Sequence, residues 1–316
     1  MFYKTKRTDD MSLVSKPTDF TKQVREQMAS KERGQQLIAD LSSHIEDIGK
    51  EDYFDVLEVE ELVLREQAYA VEVMKKKKDY PTDIPRFSPS SAGKSKAELY
   101  LKAIKAEKDE KLTYPFQNRW TRNSTAVHGA MQKTLLEAEV ILQNPMFTVM
   151  RLPEKGGLPA WEKNIERWKV IEHNGQRFVI FGMCDGILEY KKDGTKVGFE
   201  YKTKSNSVAQ IKQIKEPNPS HIAQTVAYAI LFEVDEWLIT YESVAKDKWT
   251  TNENARPDFK IFYNKVTEAD KKRLLDKWAD VAKHVEAGQL PDSPLGKFDY
   301  MFFPYKKVYA ELTKNG

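Results

Sequence analysis

Apolar residues recur at steps of three and four through the first quarter of the chain: Leu37, Leu41, Ile45 and Ile48, then Val59, Leu62, Val63, Ala70 and Val73. In a charged background low in Gly and Pro, this spacing predicts two or more helices over 19–78. Gly49 and the Lys50-Glu51-Asp52 turn separate them, and a tetralysine run at 75–78 followed by Pro81 and Pro85 ends the block. The lysine run reads as a solvated helix end, the alternative being a phosphate contact. Ser88 or Ser90 is placed to cap a helix through Ala97, Leu99, Tyr100 and Ile104. The stripe Val127, Met131, Leu135, Ala138 and Leu142 predicts a longer helix over 118–142, with His128 beside the stripe.

Beyond Arg167 the period shortens to two. Trp168–Ile171, Phe178–Phe181 and Val197–Glu200 are β-branched or aromatic runs, and Asn174-Gly175 and Asp193-Gly194 supply hairpin turns. A meander of antiparallel strands follows from that pattern. Pro217 and Pro219 introduce a helix over 220–232, with a serine at its cap. Strands over 237–241 and 259–263 precede a last helix over 267–287, closed by Gly288 and Pro291. Helices, strands, helix, strands, helix is the order of an α+β, or mixed α/β, core. No internal repeat is present.

The length of 316 residues fits two domains, or one with an appendage. We divide it into a helical N-terminal region, 1–85, and a second region, 86–316. The 51 basic and 48 acidic side chains leave a formal charge of +3, so any basic surface must be local. Cys184 is the single cysteine, which excludes an internal disulfide framework, a Cys-rich zinc site and an Fe–S cluster held by the chain's own cysteines. No apolar stretch approaches the ~20 residues that cross a bilayer, and the polar start has no apolar run behind it, so a cytoplasmic protein without membrane contact is expected. There is no phosphate-binding Gly-x-x-x-x-Gly-Lys-Ser/Thr loop and no Gly-x-Ser-x-Gly elbow.

The stretch that carries chemistry is Gly182-Met183-Cys184-Asp185-Gly186, followed by Glu200-Tyr201-Lys202. A carboxylate among apolar strand residues is costly to bury unless a positive charge meets it. Two carboxylates on adjoining strands offer hard oxygen ligands to Mg²⁺ or Mn²⁺, and Lys202 falls on the same sheet face as Glu200. For such a triplet alone, a surface hairpin with scattered charges is the competing reading. Alternation turns Cys184 away from that face, into the core.

Upstream stands His128 on its helix; downstream, Gln224 and Tyr228 share a helix face at i and i+4. With the Ser88-Pro89-Ser90-Ser91 start, this ordered set resembles the RecB-like branch of the PD-(D/E)XK nuclease superfamily, over about residues 87–291. The resemblance implies a restriction-endonuclease-like core, a central mixed sheet flanked by helices. It implies a divalent metal, Mg²⁺ or Mn²⁺, held by His128, Asp185, Glu200 and the carbonyl of Tyr201, with Lys202 positioning the hydrolytic water. Gln224 and Tyr228 would contact DNA or brace the site. Many relatives carry an Fe–S cluster; here its cysteine positions hold other residues, and packing of Tyr300, Phe302 and Phe303 is expected instead.

Lys204 and Ser205, beyond the Glu200 strand, are suited to phosphate contacts. Arg119 and Arg122 flank Trp120 as in single-strand stacking sites, but helix packing is the preferred reading of Trp120. His221 reads as a surface residue at its helix start. The expected function is a metal-dependent DNA nuclease, an exonuclease by resemblance, in recombination, repair or phage replication. Its partners would be DNA, recombination or replication proteins, and further copies of itself. The alternative is a non-catalytic DNA-binding or scaffold subunit with the same fold.

Overall fold

A computed structural model describes residues 17–77, 79–204, 208–245 and 258–314. The chain runs α1 (Pro17–Ile48), α2 (Leu57–Lys75), β1 (Arg86–Phe87), α3 (Lys96–Ala103), α4 (Pro115–Ile141), β2 (Phe147–Val149), β3 (Arg151–Leu152) and β4 (Leu158–Pro159). It continues β5 (Arg167–His173), β6 (Gln176–Gly182), β7 (Gly186–Tyr190), β8 (Thr195–Lys204), α5 (Val208–Gln213) and α6 (Pro219–Phe232). Then come β9 (Glu236–Ser243), β10 (Phe259–Lys265), α7 (Glu268–Ala287), α8 (Lys297–Met301) and α9 (Lys306–Lys314). The fold is the mixed α+β type expected, a mixed sheet flanked by helices.

The main sheet has strand order β10-β9-β8-β7-β2. Its pairs are antiparallel except β8 with β9, which are parallel and therefore need a crossover; α5 and α6 lie in that connection. Strand alternation divides the core into two layers. Leu188, Val197, Phe199, Tyr201 and Leu238 pack with Leu37, Leu41, Leu62 and Leu135 on one side. Ile187 and Trp237 pack with Leu99, Leu231 and Trp278 on the other. The Trp237 ring lies so close to β8 that a Cβ at Gly198 would sit 2.3 Å from it, so only glycine fits there. The helices α1 and α2 thus share a core with the sheet.

Several boundaries differ from the sequence expectation, each for a local reason. The strands 167–204 do not form one meander: β5 and β6 join β1 in a separate three-stranded sheet, and the chain changes sheets between Gly182 and Gly186. Cys184 therefore lies in a connection rather than on a strand, although it is buried in the core as expected. Ser88 caps only a short 3-10 turn, Pro89–Ser91; Ser95 caps α3, accepting from the Glu98 amide at 3.2 Å. The cap of α6 is Asn218, which accepts from the Ser220 amide at 2.9 Å. Of the three aromatic residues expected to pack there, Phe303 turns inward against Tyr305 and Tyr309, whereas Tyr300 and Phe302 are exposed. No helix among the described residues is long and apolar enough to cross a membrane.

Candidate active site

The end of β8 carries a group of ionisable side chains shielded from solvent. Period-two alternation turns Phe199 and Tyr201 into the α4 layer and leaves Glu200 and Lys202 on the opposite face. Glu200 is fully buried, and Oε1 is ion-paired with Lys202 Nζ. Its Oε2 has no hydrogen-bond partner among the described residues. Burial first, and then the neighbouring Asp185 carboxylate, raise the Glu200 pKa, with Lys202 only partly opposing them. Burial pulls on Lys202 in the other direction, yet Glu200 and Asp185 more than offset it and the ammonium is held charged.

Asp185 sits where the chain passes from β6 to β7, a position that is free to point at the end of β8 because it is in neither ladder. The Tyr201 amide donates to its Oδ2 at 2.8 Å, and the Gln132 side chain on α4 donates to its main-chain carbonyl at 2.9 Å. His128, one helical turn before Gln132, brings Nδ1 to 4.0 Å from Asp185 Oδ2 and sets its ring edge-on to Tyr201, centroids 5.0 Å apart. The Tyr201 hydroxyl is bonded to Glu242.

Sequence reasoning missed Glu162. Its carboxylate, the His128 imidazole and the Asp185 carboxylate form a group whose ligand atoms all lie within 4.8 Å of one another. Burial, Asp185 and Glu66 push the Glu162 pKa up to about 7. Its backbone is left-handed, φ 46°, a conformation uncommon for a non-glycine residue. The amide of Glu162 donates to the Cys184 carbonyl at 2.8 Å, which ties this segment to the Asp185 connection. Behind it, Glu66 of α2 accepts from the indole of Trp161 and from Asn164 at 2.8 Å. No periodicity marks 143–166, and nothing in the sequence singled Glu162 out.

On the α6 side, Gln224 Nε2 donates to the Tyr228 hydroxyl at 2.7 Å, as the i, i+4 spacing requires. Tyr228 is buried, and its pKa is raised by burial and by Glu200 and Asp185, so its hydroxyl lies within the field of the acids. His221 is not a free surface residue: Nδ1 is 2.7 Å from the Tyr241 hydroxyl, and burial followed by Lys202 and Lys204 lowers its pKa to about 4. Lys204 lies 5.2 Å over the Tyr241 ring. Ser205 lies outside the described residues.

Two clefts open onto this end of the sheet. One, about 450 Å³, is lined by Glu66, Ser124, Thr125, His128, Gln132 and Glu162 among others. The other, about 940 Å³, runs past Trp120, Ser124, Thr125, Thr203, Lys204 and Val244. They share Ser124 and Thr125. At that junction Ser124 Oγ is 2.6 Å from Thr203 Oγ1, so a hydroxyl pair bridges α4 and β8.

The donor set suits a hard divalent cation, with three carboxylates, one imidazole and a lysine beyond. An unpartnered carboxylate oxygen in full burial is a group that a cation would satisfy. His128, Asp185 and Glu162 converge; Glu200 is not in that group, although the Asp185 carboxylate is its neighbour.

No family model matches the chain, and no curated protein matches it in sequence. Among solved structures the chain is similar to one described as SSO0001, at 15% identity over 79% of this chain and 95% of that one, TM-score 0.38. It is also similar to an alkaline exonuclease, LHK-Exo, from Laribacter hongkongensis, at 13% identity over 72% of this chain and 94% of that one, TM-score 0.37. The same exonuclease in complex with dAMP gives 12% identity, 72% and 94% coverage and TM-score 0.35. Likeness at this level carries no argument about activity, which must come from the chain's own residues.

Proposed function

We propose that this chain is a divalent-metal-dependent deoxyribonuclease that hydrolyses DNA phosphodiesters, from an end rather than internally. The observation that carries the reading is Glu200: a fully buried carboxylate with one oxygen unpartnered, facing Asp185 and paired with Lys202. Asp185, Glu200, His128 and Glu162 would hold Mg²⁺ or Mn²⁺, with the Tyr201 carbonyl as a further donor. Bound there, the cation would polarise the scissile phosphoryl group and neutralise its charge.

The chain's own groups do the rest. Lys202 stays protonated and presents positive charge at the phosphate, where negative charge grows as the phosphorus–oxygen bond to the leaving group lengthens. The same ammonium orients the attacking water. Asp185 is fixed from two sides, by the Tyr201 amide and by Gln132 on its own carbonyl, so its orientation does not depend on ligand. Gln224 holds the Tyr228 hydroxyl beside the acids and braces the α6 wall. Lys204 and Ser205 would contact the DNA backbone. The region 86–316 supplies the catalytic groups, and 1–85 contributes the Glu66 wall. DNA recombination, repair or phage replication is the biological setting we propose, with assembly into homo-oligomers or with proteins of those processes.

Cleavage of end-labelled linear and closed circular DNA in Mg²⁺, Mn²⁺ or chelator, comparing wild type with Lys202→Ala, tests the reading. Metal-dependent loss of the linear substrate alone, absent in the variant, supports it. Binding without hydrolysis in either metal would favour a scaffold subunit instead.

A further inference from the structure

The first three turns of α4 project from the body: residues 115–126 are exposed except for Gln117 and Ser124, which are half-buried. Three aromatic side chains are displayed there. Tyr114, Phe116 and Trp120 are 51%, 49% and 61% exposed. Tyr114 and Phe116 stack at 5.9 Å with 17° between planes, and Phe116 meets Trp120 edge-on at 6.2 Å. Trp120 is therefore not helix packing, and none of the three belongs to either buried core.

Phe116, Trp120, Ser124, His128 and Gln132 follow one another at four-residue steps, a ridge that winds around an α-helix by about 40° per step, so that Trp120 and His128 are about 80° apart around the axis. Along that ridge the chemistry changes in order: two aromatic rings, a hydroxyl at the junction of the two clefts, an imidazole beside Asp185, and the amide that holds the Asp185 backbone. Trp120 lies about 12 Å from His128 along the helix axis, a few nucleotides of extended strand. The charge is complementary to a polyanion. From Pro115 to Leu136 the helix holds no acid, its first turn included, where acids are otherwise favoured; Arg119 and Arg122 flank Trp120, while Lys133 is taken up by Glu60, Asp55 and Glu137. Lys204 lines the same groove from β8.

We propose that this ridge is a stacking track for single-stranded DNA, which leads a strand end past Trp120 and Ser124 to the acids. Exposed rings flanked by arginines bind bases through their faces without reading sequence, and the cleft that holds Trp120 also presents Lys204 to the backbone. A duplex keeps its base faces covered and gains little from the rings. The inference rests on the nuclease reading and deepens it by naming the form of the substrate.

Anisotropy of a labelled oligothymidylate and of a blunt duplex of matched length, in chelator so that nothing is cleaved, tests the track on the full chain. Trp120→Ala is expected to weaken single-strand binding about tenfold or more, with a smaller effect on the duplex. Phe116→Ala should act in the same direction, and Trp120→Phe should recover most of the loss. In Mg²⁺, Trp120→Ala should raise KM for the single strand and leave kcat unchanged. Both alanine variants binding as wild type while melting at the wild-type temperature would overturn the track and hand the patch to a protein contact; so would equal loss on strand and duplex. If Trp120-dependent binding is seen without hydrolysis by wild type, the track stands and the nuclease reading falls. If wild type hydrolyses DNA and the variants bind normally, the reverse holds.

Discussion

Two groups of shielded acids lie at opposite ends of β8, and they are built on opposite principles. At the start of the strand, Asp40 accepts from Tyr190, from Lys192 at 2.8 Å and from Gln36 at 2.9 Å; these partners outweigh burial and lower its pKa. Glu236 nearby takes Arg33 at 3.3 Å and the Tyr263 hydroxyl at 2.6 Å. At the far end, Glu200, Glu162 and Asp185 crowd one another around one lysine, and burial wins at Glu200 and Glu162, raising both. Acids that fasten α1 to the sheet are supplied with donors by the fold. Acids left short of donors, in a buried position that favours a neutral group, need a cation from outside, and that difference separates a structural polar cluster from a candidate site.

The contrast can be broken most forcefully by isosteric neutralisation. Asp185→Asn or Glu200→Gln should cut DNA hydrolysis by about 10²- to 10³-fold or more without lowering the melting temperature, because each relieves repulsion between buried carboxylates. Hydrolysis near the wild-type rate, or collapse of the fold, would remove the distinction. The paired end has its own weak point in His44, one turn from Asp40, whose ring nitrogens are buried with no hydrogen-bond partner among the described residues. Burial lowers its pKa from 6.5 to about 4 despite Asp47. The unfolded chain therefore binds the proton first, and the stability His44 contributes is complete above about pH 6.5 and is lost as pH falls towards 4. That loss should reach about 3 kcal/mol, and urea titrations at pH 7 and pH 4.5 should show a smaller pH effect in His44→Phe than in wild type.

Asp40→Ala should destabilise by about 2 kcal/mol, since the buried Tyr190 hydroxyl loses its acceptor, while hydrolysis per folded molecule is unchanged. A fall in turnover would mean that the two ends are coupled. The smallest effect is expected at Glu162: Glu162→Gln should raise the Mg²⁺ concentration for half-maximal hydrolysis about tenfold and spare the maximal rate. No change would restrict the cation's ligands to those named from sequence.

Strong local signals were legible before the fold was known. Asn174-Gly175 forms its turn with φ of 50° and 73°, and Thr267 and Gly288 bracket α7 as cap and left-handed stop. That Glu200 and Lys202 share a sheet face followed from alternation alone; their ion pair did not. What escaped depended on contacts between distant segments. Glu162 converges with Asp185 through a single left-handed residue after Trp161, and a pattern of polarity cannot express that. The exposure of Trp120 is equally invisible to periodicity, because the apolar stripe of α4 continues below it and only the packing shows where the body ends. The split between the two sheets arises in the Gly182–Gly186 connection, where side-chain alternation does not reveal that strand pairing has stopped.

The central claim is that the donor-poor acid end of β8 binds a divalent cation and the donor-rich end does not. Titration of the DNA-free protein with Mn²⁺, read by loss of the free-ion electron paramagnetic resonance signal, addresses it directly in wild type, Asp185→Asn and Asp40→Asn. Saturable binding in wild type and Asp40→Asn, weakened tenfold or more in Asp185→Asn, is the expected result. Binding that is absent from wild type, or untouched by Asp185→Asn, would contradict the account.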